Sequence, residues 1–467
     1  MEIRVGSMAD TTRKRFFSGS RRGDVDMTEG SIPKHILTFA LPLLVGNIFQ
    51  QLYNMVDTWV VGNYVSSEAM AAVGSVGPVI NMLIGFFLGL ASGAGVVISQ
   101  YYGAKNDEGV SQTVHTSLAM TLVMAVIFTA VGVAVTPFMV DMMATPENVR
   151  PQTITYLTIY FGGVSGLMLY NMGAGILRAV GDSRRPFYFL VVSAVMNTVL
   201  DLVFVIAFDL GVAGVALATI LSQFVSAVLV LIVLLRAKSA VRFSPRKLRI
   251  DWPTMGRIIR VGIPAAVQMA ITSFSNVFVQ KYINYFGSDA MAGWTAYNKV
   301  DALLFMPMQS IALASTTFVG QNLGKNQVKR ARRGVSIALL MAAIATIVVM
   351  IPVILAAPYT VAFFNDEPEV VRYGSMLLRH ISPFYIVCIV NQVCSGALRG
   401  AGNSRAPMFI MLGSFVVFRQ IYLYIMANFI SNTILPIAMG YPAGWMVCSA
   451  ITLIYYLKAD LGKTRLV

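Results

Sequence analysis

Charge is scarce in this chain. Asp, Glu, Lys and Arg make up 12% of its 467 residues, against about 25% in an ordinary soluble protein. No stretch is polar enough to form a soluble catalytic domain. Histidine and cysteine are also rare, at three each. His35, His115 and His380 lie far apart and lack metal-ligand spacing. Cys388, Cys394 and Cys448 sit in apolar stretches, and three cannot pair completely, so they read as free core thiols. A phosphate loop is missing too. Gly462-Lys463-Thr464 resembles the end of one, but Leu457 stands where that motif needs glycine. ATP is therefore not expected as a direct energy source. No nucleophile-and-base set appears, and enzyme activity is not expected.

What is abundant is apolar sequence: 57% of residues, with a mean hydropathy of +0.70. About 20 apolar residues cross a bilayer as a helix. The pattern predicts an all-α integral membrane protein with spans near 36–62, 74–101, 111–136, 151–173, 186–208 and 211–236. They resume near 257–286, 290–320, 334–357, 373–398, 407–430 and 434–457. Residues 1–30 are polar and basic, without the apolar region of a signal peptide. They read as a disordered cytosolic tail, and a start at Met27 would also give a natural membrane protein. The expected domains are a first lobe over 31–236, a basic cytoplasmic linker over 237–256, and a second lobe with a short tail over 257–467.

The net charge is +14. With the amino terminus inside, cytoplasmic segments hold 29 of the 35 Lys and Arg residues, and outer loops hold only Arg150 and Arg372. Lys281, Lys299, Arg379 and Arg419 remain at membrane depth or its edge. Such a bias is the signature of cytoplasmic loops. It accounts for the positive charge without nucleic acid, and it places both termini inside the cell.

The halves repeat at an offset of 221 residues. Gly175-Ile-Leu-Arg-Ala-Val-Gly-Asp-Ser-Arg-Arg-Pro186 lies over Gly396-Ala-Leu-Arg-Gly-Ala-Gly-Asn-Ser-Arg-Ala-Pro407, identical at seven of twelve positions. Ala69-Met70-Ala71 lies over Ala290-Met291-Ala292, Gln100 and Gly103 over Gln321 and Gly324, and Pro137 over Pro358. Six spans per repeat give both copies the same orientation, a parallel two-lobe plan found in transporters.

Only Asp57, Asp201 and Asp301 fall well inside spans. A charge at the bilayer centre costs roughly 2.5–3.5 kcal/mol on insertion scales, so such a residue is a functional candidate. Tyr53 precedes Asp57 by one helical turn, and Asn197 precedes Asp201 likewise. Asn171 and Thr219 add neutral polar groups on spans four and six. Burial and a nearby second carboxylate both favour the protonated form. The pair is suited to loading and releasing a proton, and the same oxygens to a sodium ion. Asp301 has Lys299 two residues away, which leaves open pairing or reach to the interface. Arg419 is open to a cavity or to pairing with Asp301. Pro42 interrupts span one and favours a kink. Gly85, Gly89 and Gly93 have the four-residue spacing of close helix packing.

The chain resembles the MATE (multidrug and toxic compound extrusion) transporters, nearest the DinF-like branch. The resemblance runs from about residue 30 to the end. It rests on Pro42 followed by Tyr53-Asn-Met-Val-Asp57-Thr-Trp-Val-Val-Gly62, on the repeated Leu-Arg-x-x-Gly-x-Ser-Arg-x-Pro signature, and on Asn197 to Asp201. It implies two six-helix lobes forming a V and a cation-coupling network in the first lobe. Asp57, Asp201, Tyr53, Asn171, Asn197 and Thr219 match that network, Tyr156 matches a further tyrosine, and Pro42 matches a bending proline. A sodium site would use Asp57, Asn197, Asp201 and Thr219. NorM-like members place key carboxylates on spans seven and ten, where this sequence has none.

The resulting expectation is a plasma-membrane antiporter, monomeric and without cofactor. It would export organic, often cationic, compounds in exchange for H+ rather than Na+. A flippase for lipid-linked oligosaccharides shares the architecture but would need a strongly cationic cavity. A receptor or channel does not fit the pseudo-twofold lobes.

Overall fold

The computed structural model describes residues 24–143 and 145–467. Residues 1–23 of the expected tail lie outside the described residues, as do the side chains of Tyr53 and Asp57.

The first lobe contains α1 (Ile32–Tyr64), α2 (Gly77–Gly103), α3 (Asp107–Met142), α4 (Arg150–Gly162), α5 (Val164–Ala179), α6 (Arg184–Leu202) and α7 (Gly211–Arg236). The second contains α8 (Trp252–Asn284), α9 (Ser288–Gly324), α10 (Val328–Leu355), α11 (Pro368–Ile381), α12 (Tyr385–Gly400), α13 (Arg405–Met411), α14 (Arg419–Ile425) and α15 (Gly440–Lys458). A short helix, Ser67–Ser75, follows α1. Wide π-helical turns over Val203–Ala207 extend α6, and others over Leu412–Phe418 and Met426–Ile430 flank α14.

Eleven stretches among the described residues are long and apolar enough to cross a membrane. The expected fourth span is the exception, because it is built from α4 and α5, broken at Gly163. A Cβ there would lie 2.5 Å from Ile220, so the break lets the chain pass α7 closely. The second lobe breaks at the equivalent place, in a 3₁₀ turn over Ser382–Phe384. With that pair counted as one crossing, the described residues make the expected twelve.

Their apolar faces look outward as well as inward. On α10, Ala331, Val335, Ala338, Ala342 and Met350 are buried, while Leu340, Ile344, Val348 and Leu355 are exposed. An exposed aliphatic stripe at helical spacing suits hydrocarbon, not water.

The repeated signature acquires a structural reason. Gly181 and Gly402 have φ of +86° and +94° and turn the chain after α5 and α12, which glycine does without steric cost. Asp182 Oδ1 then accepts from the Arg185 N–H at 3.1 Å, and Asn403 Oδ1 from the Ala406 N–H at 3.2 Å. These bonds satisfy free donors at the start of the next helix. Pro186 and Pro407 occupy first turns, where no N–H is required.

The lobes touch along α2 and α8. A Cβ on Gly89 would meet Ala266 N at 2.4 Å, and one on Gly93 would meet Ile258 O at 2.5 Å. The four-residue glycine spacing is therefore an interlobe contact. The linker is shorter than expected, since α8 already begins at Trp252. It folds back on the first lobe, where the Ser244 N–H donates to His115 Nε2 at 3.0 Å.

Two expectations change. Residues 24–30, assigned to a free tail, are seated between the lobes. Val25 N–H donates to Val180 O at 2.9 Å, Met27 is 1% exposed, and Arg330 donates to Met27 O and Gly30 O. Asp26 pairs with Lys105, and Glu29 with Lys325 at 2.7 Å. The second change concerns α1, which belongs to both lobes. Ile32, Ile36, Phe39 and Ala40 are part of the second-lobe core, whereas Gly46 and Phe49 meet Phe187 of α6. Pro42 sits at the crossover, inside a continuous helix.

Candidate functional site

Register places the first-lobe residues. Ser193 Oγ donates to Ser222 O at 2.9 Å and Ser226 Oγ to Phe189 O at 3.1 Å, fixing α6 antiparallel to α7. Asn197 is then level with Ala218 and Thr219, and Asp201 with Gly214. Contacts of Gly163 with Ile220, Gly166 with Phe224 and Gly173 with Val230 set α5 parallel to α7. The same count brings Tyr156 level with Val212 to Gly214, and it packs in one cluster with Val205, Val212 and Val215. The contacts of Gly46 and Phe49 with α6 carry the backbone of residue 57 to the level of Val199 and Leu200. Asp201, Asn197, Thr219, Tyr156 and the backbone at residue 57 thus share one zone. Asn171 lies about nine residues further toward the Arg178 end, roughly 13 Å along the helix.

Burial in that zone is severe. Asp201 is fully buried, Asn197 is 1% exposed and Tyr156 5%. Thr219 Oγ1 is satisfied by Val215 O at 3.0 Å and Asn171 Nδ2 by Leu167 O at 2.9 Å. Neither amide atom of Asn197 finds a hydrogen-bond partner among the described residues. A buried amide in that state costs about 1–3 kcal/mol unless something else binds it.

The second lobe holds a separate network. Asp301 Oδ1 accepts from the Tyr297 hydroxyl at 3.0 Å and from the Tyr385 hydroxyl. Trp294, Phe305, Tyr441 and Trp445 surround these tyrosines. Lys299 points elsewhere, over the Phe364 ring at 5.3 Å. Arg419 is 1% exposed, stacked between Phe415 and Tyr441 at 4.5 Å each, and donates to Ser275 Oγ at 3.1 Å. Asp301 has no ion pair with Lys299 or Arg419 among the described residues. Two residues here escaped the sequence reading. Tyr297 lies one turn before Asp301 and was visible by the rule that links Tyr53 to Asp57. Tyr385, 84 residues from Asp301, left no local signal.

The chain has relatives among known proteins. The MatE family model matches the chain twice, over residues 42–203 and 264–425. The chain is 29% identical over 433 residues to the probable multidrug resistance protein YoeA of Bacillus subtilis (strain 168), covering 91% of this chain and 94% of that one. It is 27% identical over 431 residues to the probable multidrug resistance protein YpnP of the same organism, covering 92% and 96%. Its fold is similar to that of a solved structure described as an outward-facing conformation of a multidrug resistance MATE family transporter. The TM-score is 0.88 at 23% identity, over 95% of this chain and 100% of that one.

Proposed function

The chain belongs to the MatE family of multi-pass membrane transporters, and on that premise we propose that it exports small organic, often cationic, compounds in exchange for a cation. The observation that carries this reading is the fully buried Asp201, level with Asn197, Thr219, Tyr156 and the backbone of residue 57. Acids inside a membrane span are costly and mark ion pathways and proton relays. We take the coupling ion to be a proton rather than a sodium ion. Sodium would need several oxygens, and Asp57, Asp201, Asn197 and Thr219 are those available.

The mechanism follows from α1. Cation loading at the level of Asp57 alters how α1 packs on α6. The same helix is anchored in the second-lobe core through Ile32, Ile36 and Phe39. Pro42 lacks an N–H for the helix and lies between the two attachments, so bending there couples loading to movement of one lobe against the other. Met and aromatic side chains supply an adaptable apolar lining. Asp301, Lys299 and Arg419 are assigned supporting roles in the second lobe.

The finer assignment is DinF-like, because the pair Asp57 and Asp201 lies in the first lobe and spans seven and ten carry no acid. The excess of Lys and Arg in the expected cytoplasmic loops supports a cytoplasmic position for both termini at the plasma membrane, and we take the transporter to act as a monomer. The flippase alternative is not favoured, since both relatives are named for multidrug resistance. The test is efflux from proteoliposomes with H+ and Na+ gradients imposed separately. Asp57→Asn and Asp201→Asn should each lower gradient-driven transport at least about tenfold, the effect expected from losing a group essential for coupling. Full activity in both variants would overturn the coupling site.

A further inference from the structure

Gln100 and Gln321 stand at equivalent positions of the two repeats, at the carboxyl ends of α2 and α9, and both are fully buried. Each reaches across the seam between the lobes. Gln100 Nε2 donates to Gly400 O at 2.8 Å, and Gln321 Nε2 donates to Ala179 O at 2.9 Å. These acceptors are again 221 residues apart. The two amide oxygens are used with the same symmetry: Gln100 Oε1 accepts from the Leu466 N–H at 2.8 Å, and Gln321 Oε1 from the Met27 N–H at 2.9 Å. The chain ends are held over repeat-related glycines. A Cβ on Gly181 would lie 2.4 Å from Val25 O, and one on Gly402 would lie 2.8 Å from Thr464 O. The helix backbones beneath are equally close. A Cβ on Gly103 would fall 1.8 Å from Gln321 O, and one on Gly324 1.9 Å from Gln100 O.

We propose that Gln100 and Gln321 are gate residues of the transport cycle, a two-point latch that holds this end of the interlobe cleft shut, with residues 25–30 and 464–466 as its keepers. The proposal rests on the reading above, in which one lobe moves against the other during transport. All four bonds join a glutamine to the opposite lobe or to a terminal segment, so neither lobe needs them for its own fold. Separation of the lobes would expose every one of these groups to water. Exchange of protein for water partners is close to balanced, which suits a closure that must form and release repeatedly. An apolar pair would leave the Gly400 and Ala179 carbonyls without these donors in the closed state.

Spin labels at Arg184→Cys and Arg405→Cys report the opening. Both positions are exposed and lie on opposite lobes, while Cys388, Cys394 and Cys448 are buried. Distance distributions are compared for otherwise wild-type protein, Gln100→Leu, Gln321→Leu and the double variant in lipid nanodiscs. Each substitution should raise the ratio of long to short distances about tenfold, in line with the loss of two modest hydrogen bonds, without a matching loss of thermal stability. Should the leucine variants misfold, Gln100→Glu and Gln321→Glu decide. They keep the acceptor for the terminal N–H, lose the donor across the seam, and should open the pair likewise. A wild-type distribution in the double leucine variant, or in both glutamate variants, overturns the latch. Dye efflux by the unlabelled wild type in vesicles tests the transport reading separately: opening without efflux would sink that reading alone.

Discussion

Arg419 shows how a single residue can combine a buried charge with a stable core. Its guanidinium lies between two rings at 4.5 Å, an arrangement worth about 2 kcal/mol when desolvated. Truncation would also leave a cavity. Arg419→Ala should therefore destabilise the second lobe by about 3 kcal/mol, measured by thermal unfolding in detergent micelles. Arg419→Lys should recover only part of that loss, because an ammonium cannot stack flat against both rings. The sequence singled out Arg419 by its depth, and Phe415 lies one turn before it, but Tyr441 and Ser275 come from distant stretches and could not be paired with it beforehand. Asp201 and Asn197 were more legible, because four-residue spacing within one helix is local information.

At the scale of the element, α1 and the amino-terminal strap carry the consequences. Pro42→Ala would restore a backbone donor at the crossover and stiffen α1. The expected result is equal or higher thermal stability with slower efflux, measured on the same preparation. The strap depends on Asp26. Its carboxyl is raised by partial burial but more strongly lowered by hydrogen bonds from Lys105 and Thr28, with a net position of about 2. A carboxyl depressed on docking stabilises the docked form above its ordinary value near 3.8 and loses that contribution as pH falls through its lowered one. Glu29, lowered from its ordinary 4.5 by the hydrogen bond from Lys325, acts in the same sense, so docking should be insensitive to pH from neutrality down to about 5 and weaken from there toward 2. Hydrogen exchange at the Val25 and Met27 amides reads this directly, and loosening already at pH 6 would contradict the assignment. Elements were legible where hydropathy is continuous. The break at Gly163 was not, because its cause is the approach of Ile220 from another helix. The docking of residues 24–30 was hidden for the same reason, since polar residues between basic ones look like solvated tail until their berth is known.

For the whole molecule, the two-lobe plan was readable because repeats and charge bias are one-dimensional signals. The closed seam was not, since Gln100 and Gly400 are 300 residues apart. That seam also localises how the molecule can be held open. Gly324→Ala places a methyl group only against the opposite lobe, 1.9 Å from Gln100 O. It should shift the spin-label distances toward separation while leaving each lobe intact, whereas Gly132→Ala would strike Phe161 at 2.1 Å within the first lobe and lower stability instead. Thermal unfolding and distance measurements together separate the two outcomes.

The berths of the chain ends also impose a schedule on biosynthesis. Met27 leaves the ribosome early, yet its acceptor on Gln321 is made 294 residues later. Gln100 waits still longer, 366 residues, for Leu466. A nascent chain therefore inserts its first bundle with the doorway unfastened and completes the fastening only once Leu466 has been made, so removing residues 464–466 would leave Gln100 fastened through Gly400 alone.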